Sequence, residues 1–321
     1  MASPIDPPET TSPEREQSPT SAVSVAEVSG AQMSVPVHHR RTMVGGVDVF
    51  YREAGPAHAP VLLLPHGYPC SSYEFRDYMR HLGEDWRLLA PDFPGSGYSA
   101  TPEAFAYDFD GFACFLEDFV DTLGVERFAL YLHDFGSQVG LRLAIRDPSR
   151  IAALIIQNGD IYEDVLGPKY AGLKDIWRME RAEGLGKLRE FISKDHFRDE
   201  FLNAVRPELA QRIPPDLWEL HWPLMTERRQ EIAARIIYDL KDNLAWFPRY
   251  QAYLRAHSPP ALILWGPQDL YMPEESARAY LRDLPEAELH LLDAGHWLLE
   301  TNLAEAVDLT RDFLQRVHRR D

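Results

Sequence analysis

Seven short apolar runs, separated by longer segments with helical spacing, constrain the fold of this chain more than any other feature. They span residues 47–53, 61–67, 87–93, 128–134, 153–159, 261–266 and 288–295. Most are apolar on both faces, which is typical of strands in a parallel sheet that helices cover on both sides. The spacing predicts helices over residues 71–82, 109–123, 136–146, 274–283 and 303–318. This alternation predicts an α/β fold with a mostly parallel, doubly wound sheet.

One long segment interrupts the alternation. Residues 161–244 contain no convincing strand, many charged side chains and several tryptophans within helical patterns. We predict that they form a helical cap inserted between two strands. The α/β core then consists of residues 41–160 and residues 245–321.

The first 40 residues have a different composition. They are rich in Pro, Ser, Thr and Glu and poor in large apolar side chains. Such a segment buries too little surface to offset the entropy of ordering, so we predict a disordered tail over residues 1–40. It lacks the features of a signal peptide, and it is too acidic for a transit peptide.

Charge and composition restrict the partners. The 321 residues include 50 acidic and 33 basic side chains, without a stripe of Lys and Arg. This argues against nucleic acid and anionic membranes as partners. No apolar run approaches the ~18 residues needed to span a bilayer. Cys70 and Cys114 are too few for a disulfide framework, which favours a cytoplasmic location. The expected partner is a small-molecule substrate, and a homodimer is one open alternative for the assembly.

The candidate site lies at the carboxyl ends of the predicted strands, where open α/β sheets bind their ligands. Asp134 follows one strand, Asp269 a later one, and His296 the last. This is the chain order of nucleophile, acid and base in an α/β-hydrolase triad. Taken alone, Asp134 is explained by a helix N-cap or an Asx turn. The order of all three residues favours a nucleophile.

These residues stand in motifs that resemble the epoxide hydrolase and haloalkane dehalogenase branch of the α/β-hydrolase fold, whose nucleophile is Asp. The resemblance covers roughly residues 43–318 and rests on "HGYP", "PDFPGSGYS", "HDFG", "WGPQD" and "AGHW" in that order. It implies that Asp134 forms an alkyl ester, which water activated by His296 then hydrolyses. Asp269 is the expected acid, and Asp160, the position some family members use, is the alternative.

The loops around Asp134 are expected to assist this chemistry. The backbone N–H groups of Tyr68 and Phe135 would hold the oxyanion. The start of the following helix favours negative charge, so we expect Asp134 to stay ionised. His66 is expected to shape the oxyanion loop without exchanging protons, and His133 to pack behind the turn.

The leaving group separates the two activities of this branch. Many dehalogenases have Trp and Asn where this chain has Phe135 and Tyr68, so the usual N–H donors for a halide are missing. Epoxide hydrolases instead protonate the alkoxide with tyrosines of the cap. The candidate donors and pocket residues are Tyr68, Tyr162, Tyr170, Tyr238, Trp177, Trp246 and Phe247. Phe247 falls about where the family often has a second tyrosine.

The sequence therefore predicts an epoxide hydrolase that opens a mainly apolar organic epoxide to a diol. The first alternative is a haloalkane dehalogenase, in which Trp177, Trp222 or Trp246 supplies an N–H donor from the cap. The second is a non-catalytic ligand-binding relative, against which the complete triad argues. No cofactor or metal is expected, because the chain has neither a dinucleotide fingerprint nor metal-ligand spacing.

Overall fold

The computed structural model describes Met1 and residues 34–319. The predicted disordered tail thus lies largely outside the described residues. Its last residues do not fit the prediction, because Val35 and Val37 pack against the apolar core and a strand begins at His38. The boundary predicted at residue 40 falls inside this strand, whose polar, exposed side chains conceal it in the sequence.

Within residues 34–319, eight strands form one sheet in the order β1-β2-β4-β3-β5-β6-β7-β8. The strands are β1 (His38–Val44), β2 (Val47–Ala54), β3 (Val61–Leu63), β4 (Arg87–Pro91), β5 (Phe128–His133), β6 (Ile151–Gln157), β7 (Ala261–Trp265) and β8 (Glu288–Leu291). β2 pairs antiparallel with β1 and with β4, and the other pairs are parallel. The predicted α/β fold with a mostly parallel sheet is confirmed.

Helices connect these strands. Those of the sheet-forming parts are α1 (Arg76–Leu82), α2 (Phe109–Thr122), α3 (Phe135–Arg146), α11 (Glu274–Ala279), α12 (Leu298–Thr301) and α13 (Leu303–His318). Those between β6 and β7 are α4 (Tyr170–Trp177), α5 (Arg181–Phe191), α6 (Lys194–Leu202), α7 (Pro207–Ala210), α8 (Asp216–His221), α9 (Glu227–Leu244) and α10 (Phe247–His257).

The apolar core has two layers, one on each face of the sheet. Along β5, Leu130 and Leu132 belong to one layer, and Ala129 and Tyr131 belong to the other. This division follows from the alternation of side chains along a strand. Every residue of β5 is buried, and full burial of one Leu contributes about 1.5–3 kcal/mol. The end of β5, where Asp134 begins the next turn, is therefore firmly held.

The segment 161–244, which we call the cap segment, has a small apolar cluster of its own. It includes Leu188, Phe197, Ala234 and Tyr238. Arg229 of α9 joins the segment to the core by donating hydrogen bonds to the loop after β4. Its acceptors are the carbonyl oxygens of Gly97 and Ser99, at 2.8 and 2.7 Å, and Thr101 Oγ1, at 3.0 Å. The division of the chain at residues 160 and 244 stays a prediction.

Candidate active site

Asp134 occupies a strained turn between β5 and α3. Its φ of 47° and ψ of -129° place a non-glycine residue at positive φ. Such a conformation costs on the order of 1–3 kcal/mol and persists only where the surroundings enforce it. Two glycines make room for the turn. A Cβ at Gly136 would lie 2.3 Å from the Pro65 carbonyl oxygen, and one at Gly67 would lie 2.6 Å from Asp134 Cβ.

The Asp134 side chain does not cap the helix that follows it. Its Oδ1 accepts a hydrogen bond of 2.7 Å from the Tyr68 backbone N–H, and its Oδ2 lies 3.6 Å from His296 Nε2. Burial raises the pKa of Asp134, while His296 and the N–H groups of Tyr68 and Phe135 counteract this shift. These neighbours therefore favour the predicted ionised form of Asp134, whereas burial favours the neutral form. Asp134 thus stands at the N-cap position of α3, but its side chain makes no capping hydrogen bond and turns to Tyr68 and His296 instead.

His296 lies between two carboxylates. Its Nδ1 is 2.6 Å from Asp269 Oδ2, so the proton on Nδ1 faces Asp269 and Nε2 faces Asp134. Asp269 is itself oriented, because its Oδ1 accepts from the Tyr271 N–H at 2.8 Å and its Oδ2 accepts from Asn158 Nδ2 at 3.0 Å. The structure brings the three predicted triad residues together, with a hydrogen bond between His296 and Asp269 and an ion-pair contact of 3.6 Å between His296 and Asp134.

The charge of His296 follows from this geometry. Burial alone would lower its pKa, but the charge and hydrogen bond of Asp269 and the charge of Asp134 raise the pKa of His296 to about 9. The ring is therefore an imidazolium at neutral pH while Asp134 is ionised. Any process that removes the charge of Asp134 favours the neutral imidazole.

Comparison with known proteins places this arrangement in a family. The profile of the alpha/beta hydrolase fold matches residues 60–303. The chain belongs to the α/β-hydrolase fold family. It is 33% identical over 273 residues to the uncharacterized hydrolase YNR064C of Saccharomyces cerevisiae, an alignment that covers 83% of this chain and 92% of the relative.

Two further similarities involve the branch that the motifs resemble. This α/β-hydrolase is 33% identical over 258 residues to haloalkane dehalogenase 2 of Mycobacterium tuberculosis, covering 75% of this chain and 83% of the relative. It superimposes on an epoxide hydrolase from Vigna radiata with a TM-score of 0.69 and 19% identity, over 87% of this chain and 98% of that chain. The structural likeness, at this identity, supports the fold alone.

Asp160, the alternative acid, lies elsewhere in this α/β-hydrolase. It is fully buried, and Gln138 Nε2 donates to its carbonyl oxygen at 3.1 Å and to its Oδ1 at 3.3 Å. Burial raises the pKa of Asp160 to about 7, although a hydrogen bond from the Tyr170 side chain acts to lower it. Its Oδ2 has no hydrogen-bond partner among the described residues. Asp269, and not Asp160, contacts His296.

Asn158 was missed by the sequence reasoning. Its side chain holds Asp269 and also exchanges two hydrogen bonds with the backbone of Gly266, at 2.9 and 3.0 Å. Its carbonyl oxygen accepts from the Asp134 N–H at 3.2 Å. Asn158 therefore links the turn at Asp134 to Asp269. Its position just after β6, at the edge of the sheet where the other candidates lie, could have indicated a role in the site.

The two remaining strand-end histidines lie behind the triad. His66 Nε2 accepts from the Phe93 N–H at 3.0 Å, so its Nδ1 carries the proton and donates to the Gly67 carbonyl at 2.9 Å. Burial lowers the pKa of His66, which keeps it neutral. His133 packs on His296, with ring centroids 4.6 Å apart. His66 therefore ties the loops at Gly67 and Phe93 together, and His133 packs against the ring of His296.

A cavity of about 490 Å³ opens above Asp134. Its volume lies in the range of small-molecule sites. Apolar side chains of the cap segment line much of it, including Leu173, Ile176, Leu188, Ile192 and Ile237. Asp134, Asp269 and His296 form part of the same lining. A bound molecule therefore has direct access to the triad.

Of the predicted donors, Tyr68 and Tyr170 line this cavity. The Tyr68 ring stacks on Phe135 at 5.9 Å, and its hydroxyl is buried without a partner among the described residues. Burial raises the pKa of Tyr170 well above its usual range, with the charge of Asp160 acting in the same direction. Both phenols are thus protonated at neutral pH.

The prediction that the other two cap tyrosines line the substrate pocket was wrong. Tyr162 and Tyr238 do not line the cavity. The Tyr162 hydroxyl donates to Asp283 Oδ2 at 2.6 Å, and the Tyr238 hydroxyl donates to the Met179 carbonyl at 3.3 Å. Each phenol is held by packing away from Asp134, which is a result of tertiary contacts that residue type does not reveal.

The predicted cap tryptophans and Phe247 are also outside the cavity lining. Trp177 Nε1 donates to the Ile237 carbonyl at 3.3 Å, and Trp246 packs beneath the Arg142 guanidinium. Phe247 is buried in the core. Trp222, proposed as an N–H donor, instead packs its ring edge-on against Phe197 at 5.4 Å. None of these four side chains reaches the cavity.

Several polar residues that line the cavity could not be predicted from their position relative to the strands. Tyr271 lies two residues after Asp269, and its ring stands edge-on to Tyr170 at 5.8 Å. Lys169, His196 and Glu200 belong to the cap segment and also line the cavity.

The described residues contain no cluster of three or more His, Cys, Asp or Glu arranged to hold a metal ion. Over the same part of the chain, no helix combines the length and apolar character needed to cross a membrane.

Proposed function

We propose that this α/β-hydrolase is an epoxide hydrolase with Asp134 as its nucleophile. The observation that carries the proposal is that the two carboxylate oxygens of Asp134 have different neighbours. Oδ1 accepts from the Tyr68 N–H, and Oδ2 lies on the side of His296. Oδ2 is thus the attacking atom, and Oδ1 becomes the ester carbonyl oxygen held by the Tyr68 and Phe135 N–H groups.

In the first step, Asp134 Oδ2 attacks an epoxide carbon and the carbon–oxygen bond of the ring breaks. The departing alkoxide takes a proton from a phenol at the cavity wall, for which Tyr170 and Tyr68 are the candidates. Ester formation neutralises Asp134, so the pKa of His296 falls. The imidazolium proton then restores the phenol, and the imidazole becomes available as a base.

In the second step, neutral His296 takes one proton from water and the hydroxide attacks the ester carbonyl carbon. The oxyanion forms on Oδ1, where the two N–H groups stabilise it. The tetrahedral intermediate expels the diol oxygen, which receives the second proton of the water. Asp134 returns as a carboxylate and His296 as an imidazolium, so the cycle closes with one epoxide and one water consumed.

The proposed leaving group rests on the donors that face the cavity. Tyr68 and Tyr170 contribute phenols, whereas the Tyr271 hydroxyl already donates to Glu200 Oε1 at 3.3 Å. Of the side-chain indole and amide N–H groups in the described cavity lining, the Trp297 indole donates to the Glu200 carbonyl at 3.2 Å and the Gln138 amide donates to Asp160 at 3.1 Å, which leaves the Asn203 amide. A phenol can give its proton to a departing alkoxide. A departing halide instead needs N–H groups that donate hydrogen bonds to it and keep their protons. This distinction favours epoxide opening.

Haloalkane dehalogenation is the second candidate, favoured by the 33% identity to haloalkane dehalogenase 2 of Mycobacterium tuberculosis. The same triad serves both reactions. A screen that measures diol formation from epoxides and halide release from haloalkanes decides between them. Epoxide hydrolysis predicts diol formation; halide release without diol formation would reverse the order. Binding without turnover of either class would indicate a non-catalytic relative.

A further inference from the structure

A second polar region lies in the cavity, away from the nucleophile. Glu200 Oε1 accepts hydrogen bonds of 3.3 Å from Lys169 Nζ and from the Tyr271 hydroxyl, and His196 Nε2 lies 3.3 Å from the same oxygen. We call these four residues the Glu200 cluster. All of them line the cavity that contains Asp134.

The cluster leaves a hydrogen-bonding position open. Lys169 and Tyr271 donate to Oε1 of Glu200 and His196 lies beside it, whereas Oε2 accepts no hydrogen bond from the described residues. The side chain is only 14% exposed, so bulk water has limited access to it. The residue is also anchored, because its carbonyl oxygen accepts from Trp297 Nε1. A carboxylate oxygen held in this way at a cavity wall is suited to accept a hydrogen bond from a ligand.

The cluster has a defined position relative to the triad. The Tyr271 N–H donates to Asp269 Oδ1, and the Tyr271 hydroxyl donates to Glu200 Oε1. Glu200 is therefore separated from Asp269 by one tyrosine side chain. Its charge also contributes to the raised pKa of His296. A single substrate molecule can thus meet the nucleophile and the cluster together.

The charges of the cluster select the kind of group that binds. An ammonium would be repelled by Lys169, which already pairs with Glu200. A carboxylate or phosphate would be repelled by Glu200 and by Asp199, which also borders the cavity. A neutral hydroxyl meets both requirements, because it donates to Glu200 Oε2 and accepts from Lys169 or His196.

We propose that the Glu200 cluster binds a hydroxyl group of the substrate, so that the preferred substrate is an epoxide carrying a hydroxyl at its far end. This inference rests on the proposed function. It refines the expectation of a mainly apolar substrate, since the apolar wall then holds the chain between the two polar ends.

The test compares terminal epoxides of four to eight carbons, each with and without a hydroxyl on the far carbon. The kcat/KM ratio of the two members of each pair is measured for the wild type, for Glu200→Gln and for Asp199→Asn. Asp199 is the matched control, because it borders the same cavity but its side chain is 64% exposed. Any effect of Glu200 on His296 acts on both substrates and cancels in the ratio.

At the best chain length, the wild type is expected to prefer the hydroxylated epoxide, and Glu200→Gln to reduce that preference about tenfold, as for the loss of one hydrogen bond to a charged group. Asp199→Asn should leave it within twofold. Equal effects of Glu200→Gln on both substrates, or no preference in the wild type at any length, would overturn the inference.

Failure of the proposed function would look different, because the wild type would then convert neither member of any pair. In that case calorimetry with straight-chain alcohols and the corresponding terminal diols tests the cluster alone. Tighter binding of a diol that Glu200→Gln abolishes supports the cluster as a hydroxyl site. Equal binding of alcohol and diol contradicts it.

Discussion

Replacing Asp134 by Asn is expected to lower the pKa of His296 by about one to three units. The magnitude follows from the 3.6 Å between Asp134 Oδ2 and His296 Nε2. At that distance one unit charge contributes about 1.2 kcal/mol in a water-like dielectric and about 4.6 kcal/mol at an effective dielectric of about 20. Since one pKa unit corresponds to about 1.4 kcal/mol, a ring that titrates at about 9 should titrate at about 6 to 8 in the variant.

In the proposed mechanism, the same loss of charge occurs when Asp134 becomes an ester. The hydrolysis step needs neutral His296, so its rate should rise with pH through the lowered pKa and level off above it. Ester formation does not need neutral His296, so it should show no such rise in that pH range. The two steps, separated in single-turnover experiments, are therefore expected to have different pH profiles.

The assay is an NMR titration of ¹⁵N-labelled histidines, in which the His296 signal is assigned by its loss in His296→Gln. Asp121→Asn serves as the control, because Asp121 is exposed and pairs with Arg150 at 2.8 Å. Mass spectrometry before and after the titration excludes reversion of the introduced asparagine to aspartate. An unshifted His296 pKa in Asp134→Asn, or a wild-type pKa at or below 7, would refute the reasoning.

The same geometry predicts the effects of three other changes. His296→Gln should form the ester but hydrolyse it slowly, so intact-protein mass spectrometry should detect an adduct with any confirmed substrate; its absence would count against the two-step scheme. Asp269→Asn should lower kcat by about 10³–10⁴-fold, whereas Asp160→Asn should retain kcat within about tenfold, and the reverse ranking would make Asp160 the acid. Deleting residues 2–40 should lower the melting temperature relative to deleting residues 2–33, because the longer deletion removes packed residues and the start of β1; equal melting temperatures would contradict this.

The parallel part of the sheet could be predicted because its strands are apolar on both faces. β5 is an example, since each of its six residues is buried. β1 could not be predicted in this way. Its sequence, HHRRTMV, is mostly exposed, and the strand forms by backbone pairing with β2 at the edge of the sheet. Backbone pairing leaves little trace in composition.

The proximity of the three proposed triad residues was predictable for a topological reason. Parallel strands bring their carboxyl ends to one edge of the sheet, so Asp134, Asp269 and His296 become neighbours despite their separation in sequence. The cap offers no equivalent rule. Tyr170 reaches the cavity while Tyr238 does not, and the difference depends on how the helices pack. Glu200 stands on a helix among many other charged residues, so its sequence context is not distinctive.

The central claim, that Asp134 attacks the substrate, is tested most directly by the origin of the oxygen in the product. A single turnover in oxygen-18 water, with enzyme in excess over a confirmed substrate, should give mostly unlabelled product. The label should appear in the peptide that contains Asp134, because water attacks the ester carbonyl and replaces one carboxylate oxygen. Labelled product together with an unlabelled Asp134 peptide would show direct attack by water and would contradict the covalent mechanism.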